Sequence, residues 1–232
     1  MTGTFLNIAT VILGGMIGLT FGARIPDKLK ETVIVAMGLF VIAMGMQMFM
    51  KTENPLIVLG SLLIGTLLGE WLRIEDGLQN LGKVLEQRFS KESNDGSNKF
   101  VRGFLTASLL FCVGPMTILG SIQDGLTGDY SLLAVKSVLD GFAALAFSST
   151  LGAGVLFSTI VILVFQGGIS LLAAQLNALV TTSMMNELTA TGGVILLGLA
   201  MSSLLEIKII RVGNMLPGLL IAPLIVWVVS LF

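Results

Sequence analysis

The chain has 232 residues, of which 54% are hydrophobic and only 12% charged, and its mean hydropathy is +0.96. That charged share is about half that of an ordinary soluble domain, which excludes a water-soluble monomer and a disordered chain alike. A net charge of −1 offers nothing to recruit nucleic acid, and the lone cysteine, Cys112, cannot close an internal disulfide; with no histidine present, His-based triads, His/Cys zinc sites and His-ligated haem are excluded, and no cofactor is expected.

A bilayer core about 30 Å thick is crossed by roughly 20 apolar helical residues, so the charge-free intervals mark the spans. Eight follow in chain order: residues 4–22, 32–50, 55–72, 100–122, 131–150, 153–173, 189–206 and 215–232. In lipid each must be helical, because backbone groups have no water to pair with. The predicted fold is an all-α polytopic transmembrane bundle, one integral membrane domain over residues 1–232.

The first span is not a cleavable leader: no Lys or Arg precedes it, and Arg24 and Lys28 follow it as a stop-transfer flank. Gly14, Gly18 and Gly22 recur on it every fourth residue, as Gly65 and Gly69 do on the third span. Small residues at that spacing let helix backbones approach closely, inside the bundle or across a homodimer face. Met37, Met44, Met46, Met48 and Met50 crowd the second span; thioethers can ligate copper(I), but with no Cys or His beside them gap-filling is the simpler reading. Asn7 and Gln47 stand alone as polar residues and are expected to bridge helices.

Between the third and fourth spans, Ile74, Leu78, Leu81, Leu85 and Phe89 follow helical spacing. They predict an amphipathic cytoplasmic helix over 74–89, on the membrane or against the bundle, and the polar stretch 90–99 reads as a connector. The fourth span is broken at Gly114-Pro115, where proline frees a carbonyl near Phe111 that a neighbour, water or an ion must satisfy. The uncharged run 141–186 is too long for one helix. Gly152-Ala153-Gly154 divides it, with a re-entrant hairpin over 131–173 as the alternative. A polar connection (Gln175, Asn177, Thr181, Thr182, Ser183, Asn186) precedes the seventh span. Spans three and seven both end in an acid and a base, Glu70 with Arg73 and Glu206 with Lys208, and spans four and eight both carry proline. This suggests two similarly oriented four-span halves, a known transporter design.

Eleven of the 13 Lys and Arg residues fall on one side of this arrangement; Lys51 and Lys136 fall on the other. The positive-inside rule then places both termini outside the cytoplasm.

Polar residues concentrate in the second half. Gln123 and Asp124 follow the Gly114-Pro115 break, Lys136 and Asp140 sit four apart on one face of span five, Ser148, Ser149 and Thr150 end that span, and Gln166 interrupts span six. An acid this deep costs about 3 kcal/mol to insert, so such groups face a cavity or a partner. Two readings fit: a structural Lys136–Asp140 pair near the outer interface, or a polar substrate- or ion-binding pocket built from Gly114, Pro115, Gln123, Asp124, Lys136, Asp140, Ser148, Ser149, Thr150 and Gln166.

The series GPMTILGSIQDGLTGD, KSVLDGFAALAF and the QGG element, with FLNIATVILGGMIGLTFGARIP at the start and GTLLGEWLRIEDGL closing the third span, resembles the YdfK/YqgA-like family of bacterial inner-membrane proteins, a domain of unknown function. The likeness covers essentially the whole chain. It implies a multi-pass protein of the bacterial inner membrane, of a kind often described as a candidate transporter, and implies neither a substrate nor catalytic residues.

The expected function is therefore a secondary transporter or permease for a small solute or ion. The hard oxygen ligands suit sodium or a proton, and the lack of a GxxxxGK[ST] loop leaves a gradient or a partner as the energy source. The alternative is a non-transporting membrane scaffold or assembly protein. A Ser–Lys enzyme is not expected, because Lys136 and Ser148 lie twelve residues apart on one helix, about 18 Å.

Overall fold

The computed structural model describes residues 1–22, 26–89, 97–175 and 180–231; Arg24, Asn177 and most of the polar connector 90–99 lie outside them. The helices are α1 (Thr2–Gly22), α2 (Asp27–Phe49), α3 (Pro55–Leu72), α4 (Ile74–Phe89), α5 (Ser97–Cys112), α6 (Pro115–Thr127), α7 (Ser131–Leu151), α8 (Gly154–Leu171), α9 (Thr182–Leu199) and α10 (Gly218–Val229). Among the described residues there is no strand. Seven helical segments are long and apolar enough to cross a membrane, and the pair α5–α6, bent by 62°, supplies an eighth if it counts as one span. The chain is a multi-pass membrane protein with an all-α fold.

Local chemistry explains the boundaries. Asn54 caps α3, its side chain accepting from the Leu56 N–H at 3.1 Å, and Pro55 stands where no helical donor is required. The α7–α8 break falls at Gly152, whose φ of +83° suits only glycine well. Both helices are long and apolar enough to span, at 21 and 18 residues. The seventh span begins earlier than expected. Thr181 caps the Met184 N–H, and Thr182, Ser183 and Asn186 join the first turns of α9 instead of forming a connection. Ser183 and Asn186 donate to Glu53 at 2.8 and 2.7 Å, which gives these polar side chains partners while helical. Past α9 the chain relaxes into a π-helical turn, Ala200–Leu204, and a 3-10 turn, Val212–Met215, precedes α10. Helix α4 forms as expected, with its apolar row partly covered: Ile74, Leu78 and Leu85 are half-buried and Leu81 is exposed, while Glu75, Gly82 and Glu86 are buried.

The chain forms two compact units, Met1–Val35 with Gln79–Ala178 and Ala36–Leu78 with Leu179–Phe232. Each gathers separated stretches, so the division does not follow two consecutive four-span halves.

In the first unit α1 lies along α7. A Cβ on Gly14 would stand 2.1 Å from the Gly141 carbonyl oxygen, and one on Gly18 2.2 Å from that of Leu145. Both numbers rise together along the two helices, so α1 and α7 run parallel. Helix α8 closes the unit, with Gly154 pressed on the Phe100 carbonyl of α5. Val11, Phe104, Phe111, Phe147, Leu151 and Ile162 fill the core.

The second unit repeats the device. Gly65 of α3 meets the backbone of Gly218, and Gly69 meets Asn214. Here the numbers run oppositely, as expected for the third and eighth spans. Gly45 of α2 and Gly193 of α9 meet the same way. The glycine stripes of α1 and α3 thus serve packing within each unit.

Candidate binding site

Lys136 and Asp140 lie one turn apart on the buried face of α7, and their side chains pair directly. Asp140 is the tenth of 21 helix residues, which puts it near the middle of the span and not at its end. Relative exposures are 6% for Lys136 and 9% for Asp140. In such surroundings the carboxylate needs a counter-charge and further hydrogen bonds.

Those bonds come from α1 and α8. Because Gly14 and Gly141 bring α1 against α7, the short side chain of Asn7 reaches across, and its Nδ2 donates to Asp140 Oδ2 at 3.0 Å. The same nitrogen donates to Gln166 Oε1 on α8 at 3.1 Å, and Gln166 Nε2 donates to Thr4 Oγ1 at 3.3 Å. Thr4, Asn7 and Gln166 are fully buried. The result is a polar ladder, Lys136–Asp140–Asn7–Gln166–Thr4, crossing three helices inside one unit. Asn7 Oδ1 has no partner, nor does the buried Oγ of Ser148, two turns further along α7.

The other expected site residues divide. Asp124 is buried on α6 and accepts from the Gly3 N–H of α1 at 3.1 Å, while its Oδ1 is unpartnered; the Met1 amino nitrogen lies 3.1 Å from its Oδ2. It belongs to the same unit without bonding to the ladder. Gln123 points outward and donates to Asp129 at 2.9 Å, so it does not line the site. Ser149 and Thr150 donate back to the Ala146 carbonyl of their own helix, the usual resting place of hydroxyls in apolar surroundings. At the bend, Gly114 faces open space and α6 starts at Pro115. The carbonyl freed by proline is not left for a ligand: Thr117 Oγ1 donates to the Phe111 oxygen at 3.1 Å. Gly114 and Pro115 therefore shape the bend without offering that group to a solute.

Asn7, expected only to bridge helices, is the hub of the ladder, and Thr4 at its end escaped notice. Their signal was two polar residues one turn apart in an uncharged span. Glu187 on α9 also escaped notice. It is 1% exposed, and its carboxylate accepts from Thr52 Oγ1 and the Glu53 and Asn54 N–H groups, at 2.7, 2.7 and 2.9 Å. It seals the N-terminus of α3 and has its hydrogen bonds in place. Nearby, exposed Glu53 has its carboxyl held below the ordinary range by hydrogen bonds from Asn186 and Ser183.

Residues 2–227 match the model of a family described as "Protein of unknown function (DUF554)". The chain is similar to the Bacillus subtilis (strain 168) "Uncharacterized membrane protein YdfK", with 34% identity over 237 residues covering 100% of this chain and 98% of that one. It is also similar to the Escherichia coli (strain K12) "Uncharacterized protein YqgA", with 33% identity over 222 residues and coverages of 95% and 94%. No solved structure matches. The chain belongs to the DUF554 family.

Proposed function

We propose that this membrane protein is a secondary transporter or permease for a small solute or ion, working at the Lys136–Asp140 ladder of the first unit. The observation that carries the reading is a buried acid and base at mid-span, tied by amides to two further helices. Ionisable groups inside a span are costly and collect at solute and ion paths. A purely structural pair is less well supported, because α1 and α7 already interlock through glycine. Asp124 adds a second buried carboxylate to the same unit. The asymmetry of Lys and Arg along the sequence favours a bacterial inner-membrane protein with both termini outside the cytoplasm.

The scaffold alternative leans on glycine faces free to bind other helices. Those of α1 and α3 are occupied within their own units, and a homodimer would need another face. Flux into liposomes holding the purified protein, screened over sodium, potassium, protons and small metabolites, tests the proposal. Asp140→Asn combined with Lys136→Met, which keeps the site neutral, is expected to abolish the flux that the wild type supports. Undiminished flux in that double variant, or none for any solute screened, refutes it.

A further inference from the structure

The ladder is unbalanced. Asn7 gives both its bonds through Nδ2, to Asp140 and to Gln166. That fixes the amide, since a turned amide would set its oxygen against the carboxylate. Asn7 Oδ1 is consequently a buried acceptor with no donor, and Ser148 Oγ is buried without a partner. Asn7 Oδ1 is a bare oxygen in the same buried network as a carboxylate, and oxygens of that kind are what a hard cation binds. Lys136 supplies the only positive charge in the ladder, at the end of a flexible four-carbon stem. Among the described residues no three His, Cys, Asp or Glu side chains converge. One carboxylate with neutral oxygens matches a hard monovalent ion and falls short of the charge a divalent ion demands.

We propose that Lys136 is a tethered competitor for a cation site: it covers Asp140 in the conformation described, and a free monovalent hard cation of the sodium class takes its place. The Asp140 carboxylate anchors that ion, and Asn7 Oδ1, which has no donor to hold it, turns toward the carboxylate as the lysine leaves, with the oxygens of Gln166 and Thr4 in the same ladder. The inference rests on the permease reading for its choice of site. The buried pair is neutral, and adding a cation while the ammonium stays would leave one uncompensated charge in the bundle. Ion entry therefore drives the lysine off the carboxylate, and by linkage whatever holds the lysine there weakens the ion.

The test is sodium binding to the purified full chain in lipid nanodiscs, by calorimetric titration with choline chloride holding ionic strength constant. Lys136→Met is expected to tighten sodium at least about tenfold by removing the competitor. Lys136→Arg keeps the charge but holds the carboxylate through a planar two-pronged fork; it is expected to weaken sodium about tenfold. The double variant Lys136→Met/Asp140→Asn should bind no sodium. The inference is overturned if Lys136→Met binds no tighter than wild type, if Lys136→Arg binds as well as wild type, or if the double variant still binds. Should Lys136→Met fail to fold, the Arg variant alone decides. A site that tightens as expected in a protein that moves no ion would refute the permease and leave the tethered lysine standing. Transport with unaltered binding in both lysine variants would do the reverse.

Discussion

Replacing Gly14 by alanine tests how the site is assembled. The added methyl carbon would stand 2.1 Å from the Gly141 oxygen and 2.9 Å from its carbonyl carbon. Both are backbone atoms, so no side chain can rotate away. Ordinary contact near 3.5 Å requires α1 and α7 to part by about 1.4 Å. Overpacking of this kind costs about 1–3 kcal/mol. If the parting extends two turns toward the N-terminus, the Asn7–Asp140 bond, now 3.0 Å, passes beyond hydrogen-bonding range. A bond to a charged group is worth about 1.5–3 kcal/mol more. The expected loss is thus roughly 2.5–6 kcal/mol, read as a lower unfolding midpoint in detergent. Two controls separate this from the intrinsic preference of helices for alanine. Gly77 on α4 has no atom within 4 Å of an added Cβ, and Gly60 on α3 meets only Ile225 Cδ1 at 3.6 Å. Gly77→Ala and Gly60→Ala should each gain about 0.5–1 kcal/mol. A Gly14→Ala protein as stable as Gly77→Ala would refute the backbone-contact account of the α1–α7 seam.

Three further substitutions probe the supporting bonds. Thr117→Val strips the Phe111 carbonyl of its side-chain donor; about 1–3 kcal/mol of stability should go with it, and chemical denaturation of purified protein measures the loss. Glu187→Gln keeps the shape of the α3 cap but removes its charge, weakening three bonds. A lowered midpoint is expected there, and one equal to wild type would refute the part those bonds play in holding the cap. Glu53 has a folded pKa below its ordinary value of 4.5 because Asn186 and Ser183 bond its ionised form. Its contribution to stability is therefore complete above the unfolded value and fades as pH falls through the lower folded one. Glu53→Gln should lower stability at neutral pH, where the ionised carboxylate contributes, and converge with wild type well below about pH 4.5, which flattens the acid limb; a limb as steep as in wild type would count against those two bonds.

How much of this could be read in advance depends on the range over which each contact is decided. The spans were legible because the charge-free intervals are a property of short stretches, and the lipid constraint turns each stretch into a helix whatever its neighbours do. The Lys136–Asp140 pair was legible for the same reason, its spacing being four residues on one helix. Asn7, by contrast, meets Asp140 across 133 positions of sequence, and only the Gly14–Gly141 contact brings the two helices near enough. The glycine spacing announced a close approach without naming its partner. Of the three partners open to the carbonyl freed at Gly114-Pro115, a neighbour, water or an ion, the neighbour takes it. A hydroxyl two residues after the proline was available to take the freed carbonyl, and a local donor wins over a distant ligand because no further chain must be ordered to bring it there. The two buried acids then separate on hydrogen bonding alone. Glu187 has backbone and hydroxyl donors on its carboxylate, a closed arrangement that holds a helix end. Asp140 leans on a long-stemmed lysine and on an amide whose own oxygen goes unserved, and it is on that incompleteness, absent at Glu187, that the proposed exchange of cations rests.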